Sequence, residues 1–331
     1  MIDKNHDKIL ITGATGFIGS HLARELSSKE YQVICLVLPG DDSKSLAGLN
    51  VKVVYGDITD KYSLVPAIDG IEVIYHLAAV ITGNDSDSYY RVNFEGTKNL
   101  IRICTEKRLN LKRFLFVSTI AAFGPTGESM INENYPANPI DDYGRSKLMA
   151  EQYLKSEDNP FPFTIIRFVN IYGPGQLDSL YHICKIASKG FQFNTGIGEI
   201  MLGYVDDVVD GIIQACESPN TVGETYFLGE NKFYRLSEVI SIFSRAVRQK
   251  LIKISLPYPL LYFIARSAEL FAAVTRKSPL ITREQVACYL KQCHWKFDIR
   301  KAARDFNFHT RISLTEGAKK TVAWYKESGY L

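Results

Sequence analysis

The first half of the chain alternates short apolar runs with longer amphipathic stretches. Strands buried on both faces of a parallel sheet are continuously apolar, and parallel strands need helical crossovers between them. The pattern therefore predicts an α/β fold with a doubly wound parallel Rossmann sheet. The predicted strands are 8–12, 32–38, 52–55, 73–76, 113–118 and 163–168, and the predicted helices include 18–28, 88–107 and 142–155.

The second half is less regular. After residue 170 it contains Pro and Gly turns, an apolar run at 202–209 and helical periodicity from 236 onward. This predicts a smaller, mainly helical C-terminal lobe that binds the substrate. We expect a dinucleotide-binding domain at 1–170 with a returning segment near 200–230, and a substrate-binding lobe at 171–199 and 231–331.

Composition excludes several classes of protein. The 331 residues are 46% hydrophobic, and a net charge of +3 comes from 39 basic and 36 acidic residues without a dense basic run. Nucleic acid is therefore not a predicted partner. The six cysteines lack paired or zinc-like spacing, so we expect reduced thiols and no metal.

The chain also lacks the sequence signals of export and of membrane insertion. The first eight residues are polar, and the apolar stretch 251–274 is interrupted by Pro257 and Pro259 and carries charged side chains. We therefore expect a cytoplasmic protein without a transmembrane span.

Residues 12–19 read Thr-Gly-Ala-Thr-Gly-Phe-Ile-Gly, between a predicted strand and a predicted helix. Glycines at such a turn let backbone amides approach a pyrophosphate, and the helix N-terminus adds a favourable dipole. Gly13, Gly16 and Gly19 depart from the common Gly-x-Gly-x-x-Gly spacing, and a glycine triplet alone is also typical of an ordinary tight turn. The strand before it and the helix after it favour a dinucleotide site.

About 130 residues further on, the chain reads Tyr143-Gly-Arg-Ser-Lys147. A Tyr and a Lys four apart lie on one face of a helix, where the ammonium favours the ionised phenol. A phenol with a pKa near ~10 is otherwise a poor base at neutral pH. The spacing also arises by chance, but together with the glycine motif it predicts proton transfer beside a bound dinucleotide.

These motifs resemble those of the extended short-chain dehydrogenases/reductases, on the side of that superfamily with the sugar epimerases and 3β-hydroxysteroid dehydrogenases. Segments 56–58 (Gly-Asp-Ile), 76–79 (His-Leu-Ala-Ala), 92–97, 116–119 and 167–175 extend the resemblance over nearly the whole chain. The implied cofactor-binding residues are Gly13, Thr15, Gly16, Phe17, Ile18, Gly19, Asp57, Ile58, Leu77, Ala78, Ala79, Tyr143, Lys147 and Phe168.

The resemblance also implies the catalytic residues, which are Thr119, Tyr143, Lys147 and Asn93. Thr119 is expected to orient the substrate oxygen, with Ser118 as the alternative because a slip of one residue points the other hydroxyl inward. Asn93 is expected to brace the site, and Asn170 to touch the substrate. Phe168 stands where the family often has Pro after the Arg, so that loop departs from the usual pattern.

The choice of cofactor depends on the end of the second strand, near the adenosine ribose. An acidic side chain there favours NAD, and an Arg accommodates the extra phosphate of NADP. Leu38 stands where many relatives carry Arg, and Asp41 and Asp42 follow it. NAD is therefore favoured, while Lys44 keeps NADP open and the two Asp residues also suit an ordinary solvated loop.

The substrate class rests on an absence. Nucleotide-sugar relatives usually carry an Arg shortly before the Val-Asp-Asp segment, and residues 199–207 contain none. The apolar stretches 256–265 and 270–274 suit a lipophilic pocket or simple core packing. The favoured prediction is an NAD(P)-dependent oxidoreductase that acts on a hydrophobic ring alcohol, as in the 3β-hydroxysteroid dehydrogenase-like group.

Two other functions stay open, which are a nucleotide-sugar epimerase that retains its NAD and a non-catalytic regulator that senses a dinucleotide. The regulator has no need of Tyr143 and Lys147. A homodimer is also predicted, because the family commonly pairs through helices equivalent to 90–107 and 147–154. The apolar positions of these helices equally suit packing against the sheet.

Overall fold

A seven-stranded parallel sheet forms the centre of the computed structural model, and helices cover both of its faces. The structure describes residues 6–83, 85–127, 129–177, 179–194, 199–248, 250–255, 257–275 and 295–331. The strands of this sheet are β1 Lys8–Thr12, β2 Gln32–Val37, β3 Val51–Tyr55, β4 Ile71–His76, β5 Arg113–Thr119, β6 Phe163–Phe168 and β11 Thr225–Leu228.

The strand order is β11-β6-β5-β4-β1-β2-β3, so the chain reverses direction across the sheet between β1 and β4. Thr12 and His76, the last residues of these two strands, are directly paired. Ligands of doubly wound sheets bind at such a reversal, beyond the carboxyl ends of the strands. The doubly wound Rossmann prediction is confirmed, and the six predicted strands lie within two residues of the observed ones.

The predicted helix 88–107 differs most from the structure, because it is broken into three parts. A short α-helix at Ser86–Tyr89 (α2) leads into a π-helical turn at Tyr90–Glu95, and an α-helix at Gly96–Glu106 (α3) follows. A π-helical turn holds more residues than an α-helical turn and therefore rotates the positions that follow it. Apolar periodicity alone does not reveal such a turn.

Two apolar layers pack the sheet against its helices. One layer includes Leu22 and Leu26 of α1 (Phe17–Ser28) and Ile212 of α6 (Val205–Glu217). The other includes side chains of α3 and of α4 (Asp142–Lys155), which are Leu100, Ile101, Cys104, Ala150 and Leu154. Burial of a Leu or Ile contributes about 1.5–3 kcal/mol. These five side chains, which lie in the helices considered for a dimer, therefore face the sheet of their own chain, and the homodimer stays a prediction.

The region after β6 is mainly helical but also contains three two-stranded sheets. The paired strands are β7 Asn170–Tyr172 with β10 Leu202–Tyr204, β8 Phe191–Asn194 with β13 Ile252–Ser255, and β9 Glu199–Ile200 with β12 Tyr234–Arg235. The further helices are α5 Ser179–Ser188, α7 Leu236–Val247, α8 Tyr258–Thr275, α9 Arg300–Phe306 and α10 Leu314–Glu327.

The predicted returning segment near 200–230 contributes α6 and the edge strand β11 to the main sheet. The domain boundaries themselves stay a prediction. The apolar stretch that begins at 256 forms α8, although Leu256 itself lies outside the described residues. In the part of the chain that the structure describes, no helix is long and apolar enough to cross a membrane.

Candidate active site

The glycine turn after β1 is a close contact between two backbone segments. Gly13 has φ +70°, and a Cβ added there would lie 2.7 Å from the amide nitrogen of Ala78 and 2.8 Å from the carbonyl carbon of Leu77. A Cβ on Gly19 would collide with the carbonyl oxygen of Gly13. Gly16 is the N-cap of α1 and has no side chain with which to cap its first turn.

These three glycines leave a cradle that side chains would fill, with the amides of a helix N-terminus at its edge. The N–H of Gly16 donates to the carbonyl of Gly13 at 3.1 Å, which closes the turn. Such a site suits an anionic group, and a pyrophosphate in particular. The residues present therefore fit a dinucleotide.

Other predicted cofactor residues surround this turn. The hydroxyl of Thr15 donates to the carboxylate of Asp41 at 3.4 Å. Asp57 follows β3, and its carboxylate accepts from the amide of Thr59 at 2.8 Å. Ile58 packs where a Cβ on Gly96 would stand. Phe17 and Ile18 begin α1, and Leu77, Ala78 and Ala79 continue the chain from β4.

The catalytic pair lies at the start of α4. Asp141 caps this helix, because its carboxylate accepts from the amide of Gly144 at 2.7 Å. Burial raises the pKa of Tyr143 to about 12, against the opposing effect of a hydrogen bond with the side chain of Thr119. The phenol is therefore protonated at neutral pH, which is the state a proton donor needs. To act as a base it requires a nearby positive charge.

Lys147 lies one helical turn after Tyr143 and is 2% exposed. Its ammonium stands 4.0 Å from the centre of the Phe116 ring, a cation–π contact. Burial lowers the pKa of Lys147 to about 7, and the charge of Glu151 acts in the opposite direction. Lys147 therefore gains or loses its proton near neutral pH.

The structure separates the two hydroxyls at the end of β5. Thr119 faces Tyr143, and its Oγ1 also accepts from the amide of Ala121 at 3.1 Å. Ser118 is buried and donates to Glu151 at 2.5 Å. The hydroxyl of Ser118, the alternative considered from sequence, is therefore engaged by Glu151 and not by Tyr143.

Asn93 lies in the π-helical turn and is completely buried. Its carboxamide exchanges two hydrogen bonds with the backbone of Val80, at 2.8 and 3.0 Å. The same amide group donates to Ser146 at 3.0 Å, and Ser146 in turn donates to the carbonyl of Tyr143 at 2.8 Å. Asn93 thus links the loop after β4 to the first turn of α4.

A second buried chain of hydrogen bonds contains His76. Its Nδ1 lies 2.6 Å from the hydroxyl of Thr12, and its Nε2 lies 2.9 Å from the hydroxyl of Thr97. Since Thr97 donates to the carbonyl of Asn93, it accepts from Nε2–H, which assigns the neutral tautomer. Burial lowers the pKa of His76 to about 3, with a smaller contribution from the charge of Lys147.

The predicted residues of the loop after β6 are held by backbone pairing. Phe168 ends β6, is buried, and pairs with Thr119 across the sheet. Asn170 begins β7 and donates from its side chain to the carbonyl of Met201 at 3.2 Å. The substrate contact predicted for Asn170 and the cofactor contact predicted for Phe168 stay predictions.

Sequence reasoning missed several residues around the site. His21 in α1 lies 2.8 Å from the carbonyl of Pro174 and 3.1 Å from the carboxylate of Asp206, so it joins α1 to the loop after β7. The hydrogen bond with His21 is the main cause that lowers the pKa of Asp206. The ring of Tyr89 lies 6.2 Å from that of Tyr143. Glu151 was missed as well, although its position four residues after Lys147 predicts that it lies on the same face of the helix.

Among the described residues, no group of three or more His, Cys, Asp or Glu side chains could hold a metal ion. Of the six cysteines, Cys35, Cys104, Cys184 and Cys216 are free and buried, while Cys288 and Cys293 lie outside the described residues.

A dinucleotide turn and a Tyr–Lys helix at one edge of a doubly wound sheet define a class of nicotinamide-dependent enzymes. Comparison with protein families agrees, because residues 9–229 match the NAD dependent epimerase/dehydratase family. The protein belongs to this family and is an enzyme. The predicted membership in the extended short-chain dehydrogenases/reductases is confirmed, and so is the nicotinamide cofactor, with NAD favoured.

Relatives of this chain carry out more than one reaction. The uncharacterized UDP-glucose epimerase YtcB of Bacillus subtilis (strain 168) is 30% identical over 259 residues, covering 71% of this chain and 80% of YtcB. The decarboxylating sterol-4-alpha-carboxylate 3-dehydrogenase of Mus musculus is 26% identical over 335 residues, covering 95% and 90%. The crystal structure of gox2253 matches with a TM-score of 0.82 and 28% identity, covering 98% and 99%.

Proposed function

We propose that the protein is an NAD-dependent dehydrogenase or ketone reductase for a hydrophobic ring alcohol, similar to the 3β-hydroxysteroid dehydrogenase-like group. One observation carries the proposal, which is that the Tyr143 phenol stands beside the side chain of Thr119, with the buried Lys147 one turn away on α4. This set offers a proton donor and acceptor, an orienting hydroxyl and a positive charge.

The glycine turn with Thr15, Phe17 and Ile18 would hold the pyrophosphate of NAD. Asp57, Ile58 and the 77–79 segment would hold its adenosine, and Phe168 would lie near the nicotinamide. Bound NAD supplies the acceptor for a hydride.

The proton is handled by the chain itself. Thr119 donates to or accepts from the substrate oxygen and so fixes its position next to the Tyr143 phenol. In the oxidative direction the ionised Tyr143 removes the hydroxyl proton, and in the reductive direction the protonated phenol returns it. Burial raises the pKa of Tyr143, and Thr119 lowers it against this effect. In this proposal the positive charge of Lys147, one helical turn away, further favours the ionised phenol.

The surroundings of Tyr143 support an apolar substrate. Ile140 lies on the loop that precedes α4, three residues before Tyr143, and it is 45% exposed. Tyr89, the last residue of α2, has its aromatic ring 6.2 Å from the ring of Tyr143. Segment 199–207 contains no Arg for a diphosphate, and the nearby Lys296 is ion-paired with Glu199 at 2.6 Å. The sterol dehydrogenase relative agrees with this class of substrate.

A nucleotide-sugar epimerase with retained NAD is the second candidate, and the similarity to YtcB favours it. The two functions differ in the fate of the hydride. A dehydrogenase releases reduced cofactor in proportion to product, whereas an epimerase returns the hydride to the substrate and accumulates none. A dinucleotide-sensing regulator would show neither reaction.

The test is the formation of reduced cofactor by the purified protein, given NAD or NADP, with hydroxysteroids and with nucleotide sugars. Tyr143→Phe removes the proton-transferring oxygen, and we expect turnover to fall by at least a hundredfold. Tyr153→Phe, the same change on the same helix, is the matched control and should keep full activity. Interconversion of a UDP-sugar without net reduced cofactor, together with no turnover of any steroid, would replace this proposal by the epimerase.

The homodimer is a further part of the proposal. On α4, the side chains of Arg145, Met149 and Gln152 are exposed at a helical spacing, which gives this helix an outward face. Pairing of this face with its copy would bury Met149. Light scattering after size exclusion should then give twice the 37.3 kDa chain mass, and Met149→Lys should give the monomer mass.

A further inference from the structure

Glu151 lies one helical turn beyond Lys147, as Lys147 lies one turn beyond Tyr143. Residues four apart share a face of a helix, so the three side chains form one row on α4. Glu151 is 1% exposed and Lys147 is 2% exposed. A carboxylate and an ammonium therefore stand as neighbours in the interior of the protein.

Arg167 and Ser118 fix the Glu151 carboxylate. Arg167 donates from Nη2 to Oε2 at 2.6 Å and from Nε to Oε1 at 3.0 Å, a forked ion pair. Ser118 donates to Oε1 at 2.5 Å. The guanidinium of Arg167 also lies 5.2 Å from the centre of the Phe123 ring. These partners come from β5 and β6, so the carboxylate is held by two strands of the sheet.

An ion pair of this kind is not needed for stability alone. Buried ion pairs are often replaced by apolar side chains of similar volume without loss of stability, because desolvation of the two charges cancels their attraction. A purely structural role therefore gives no reason for a carboxylate at this position. The neighbouring lysine gives one.

Among the described neighbours of Lys147, Glu151 is the one that carries a negative charge. Phe116 offers only the face of its ring, and Tyr143 and His76 are both neutral at pH 7 because burial raises the pKa of the one and lowers that of the other. Burial lowers the pKa of Lys147, and Glu151 is the group that raises it.

We propose that Glu151 is a positioning residue that keeps the Lys147 ammonium charged and in place, and that Arg167 and Ser118 hold the carboxylate for this task. The inference rests on the function proposed above, in which Lys147 acts as a cation beside Tyr143. Arg167, which lies in β6, thereby acts on the catalytic helix through Glu151.

The consequence is a shift in pH dependence. Without the negative charge, Lys147 releases its proton at lower pH, so the fraction of charged lysine at neutral pH falls. A shift of one pH unit in its titration lowers that fraction up to tenfold above the midpoint. Activity that needs the ammonium should then decline at a lower pH than in the native protein.

The test uses Glu151→Gln, which keeps the size of the side chain and removes its charge. This variant leaves Arg167 as an unpaired buried charge and is expected to be less stable. The double variant Glu151→Gln with Arg167→Met removes both charges and should recover stability. Glu133→Gln is the matched control, because Glu133 is a partly buried carboxylate near Arg167 that accepts from the amide of Phe227 at 3.0 Å.

The primary measurement is the titration of the Lys147 ammonium by NMR in protein with isotope-labelled lysine, assigned through Lys147→Met. We expect the midpoint to fall by at least about one pH unit in Glu151→Gln and in the double variant, and to stay unchanged in Glu133→Gln. An unchanged midpoint in the folded double variant, or an equal shift in the control, would overturn the proposal.

This titration is independent of turnover, so it separates the two proposals. If Lys147 responds to Glu151 but Tyr143→Phe leaves all activity intact, the proposed function fails and the positioning role stands. If turnover requires Tyr143 but the Lys147 titration ignores Glu151, the positioning role fails alone. In the double variant, the decline of turnover at high pH should move to lower pH by the same number of pH units as the midpoint of the Lys147 titration.

Discussion

Gly13→Ala tests whether the glycine turn is built for a ligand and for the close approach of two strands. Gly13 has φ +70°, a conformation that costs an L-residue about 1–2 kcal/mol. The added Cβ would also stand 2.7 Å from the backbone nitrogen of Ala78, closer than real contacts allow. Relief requires the backbone to shift, which adds about 1–3 kcal/mol. The expected loss in the free energy of unfolding is therefore about 2–5 kcal/mol.

Gly40→Ala is the matched control. Gly40 has φ +95° in the turn after β2, where the amide of Asp41 donates to the carbonyl of Leu38 at 3.0 Å, and no atom of the described residues lies within 4 Å of a Cβ added there. Only the backbone conformation is then disfavoured, so we expect a loss of about 1–2 kcal/mol. Urea unfolding of both variants measures the difference.

The two variants should differ more strongly in binding NAD, measured by calorimetry. A displaced Gly13 turn moves the amides of the first turn of α1, and a loss of about 1.4 kcal/mol corresponds to tenfold weaker binding. We expect Gly13→Ala to bind NAD at least tenfold more weakly. Gly40→Ala does not displace the Gly13 turn, so we expect its NAD affinity to be unchanged. Equal stability and equal NAD affinity of the two variants would refute the reasoning, because the close contact with Ala78 would then have no effect.

Two further predictions concern cofactor choice and pH. Asp41, which accepts from Thr15 beside the glycine turn, should select NAD, so Asp41→Asn should improve NADP binding relative to NAD by about tenfold, whereas Asp42→Asn should not, because Asp42 is paired with Lys44 at 3.1 Å. Equal effects of the two changes would contradict this. The pKa of His76 is about 3 in the folded chain and ~6.5 in the unfolded chain. The free energy of unfolding should therefore fall as the pH is lowered between these two values, by at most about 1.4 kcal/mol per pH unit. His76→Gln, followed by urea unfolding at several pH values, should flatten this slope, and parallel curves would exclude the neutral buried histidine.

The sheet was predictable because each of its strands carries its own signal. Strands such as β1 and β6 are buried on both faces and read as unbroken apolar runs, which few other structures produce. Strand β11 was not predicted as a strand, because its four residues follow a helix of similar apolar content. The break of helix 88–107 at Tyr90 was also missed, since a π-helical turn depends on tertiary contacts of Asn93 rather than on local periodicity.

In the candidate site, too, contacts between residues close in the chain were predictable, and contacts between distant segments were not. Tyr143 and Lys147 are four apart on one helix, so their common face follows from sequence alone. The choice between Ser118 and Thr119 did not, because alternation along a strand fixes only that the two hydroxyls point apart. The structure places Glu151 and Arg167 on the Ser118 side, and a buried forked ion pair there leaves Thr119 for the side of Tyr143.

The buried hydrogen bonds explain why short motifs far apart in the chain occur together. Thr12 ends the strand before the glycine turn and accepts from the amide of Ala78, and through His76 and Thr97 it is connected to Asn93. Asn93 is connected through Ser146 to the backbone of Tyr143. A buried polar group without its partner is costly, so each of these residues requires the next. A displacement of the glycine turn is therefore opposed by the same bonds that fix the first turn of α4, and the dinucleotide cradle and the proton-transferring phenol are held in one frame.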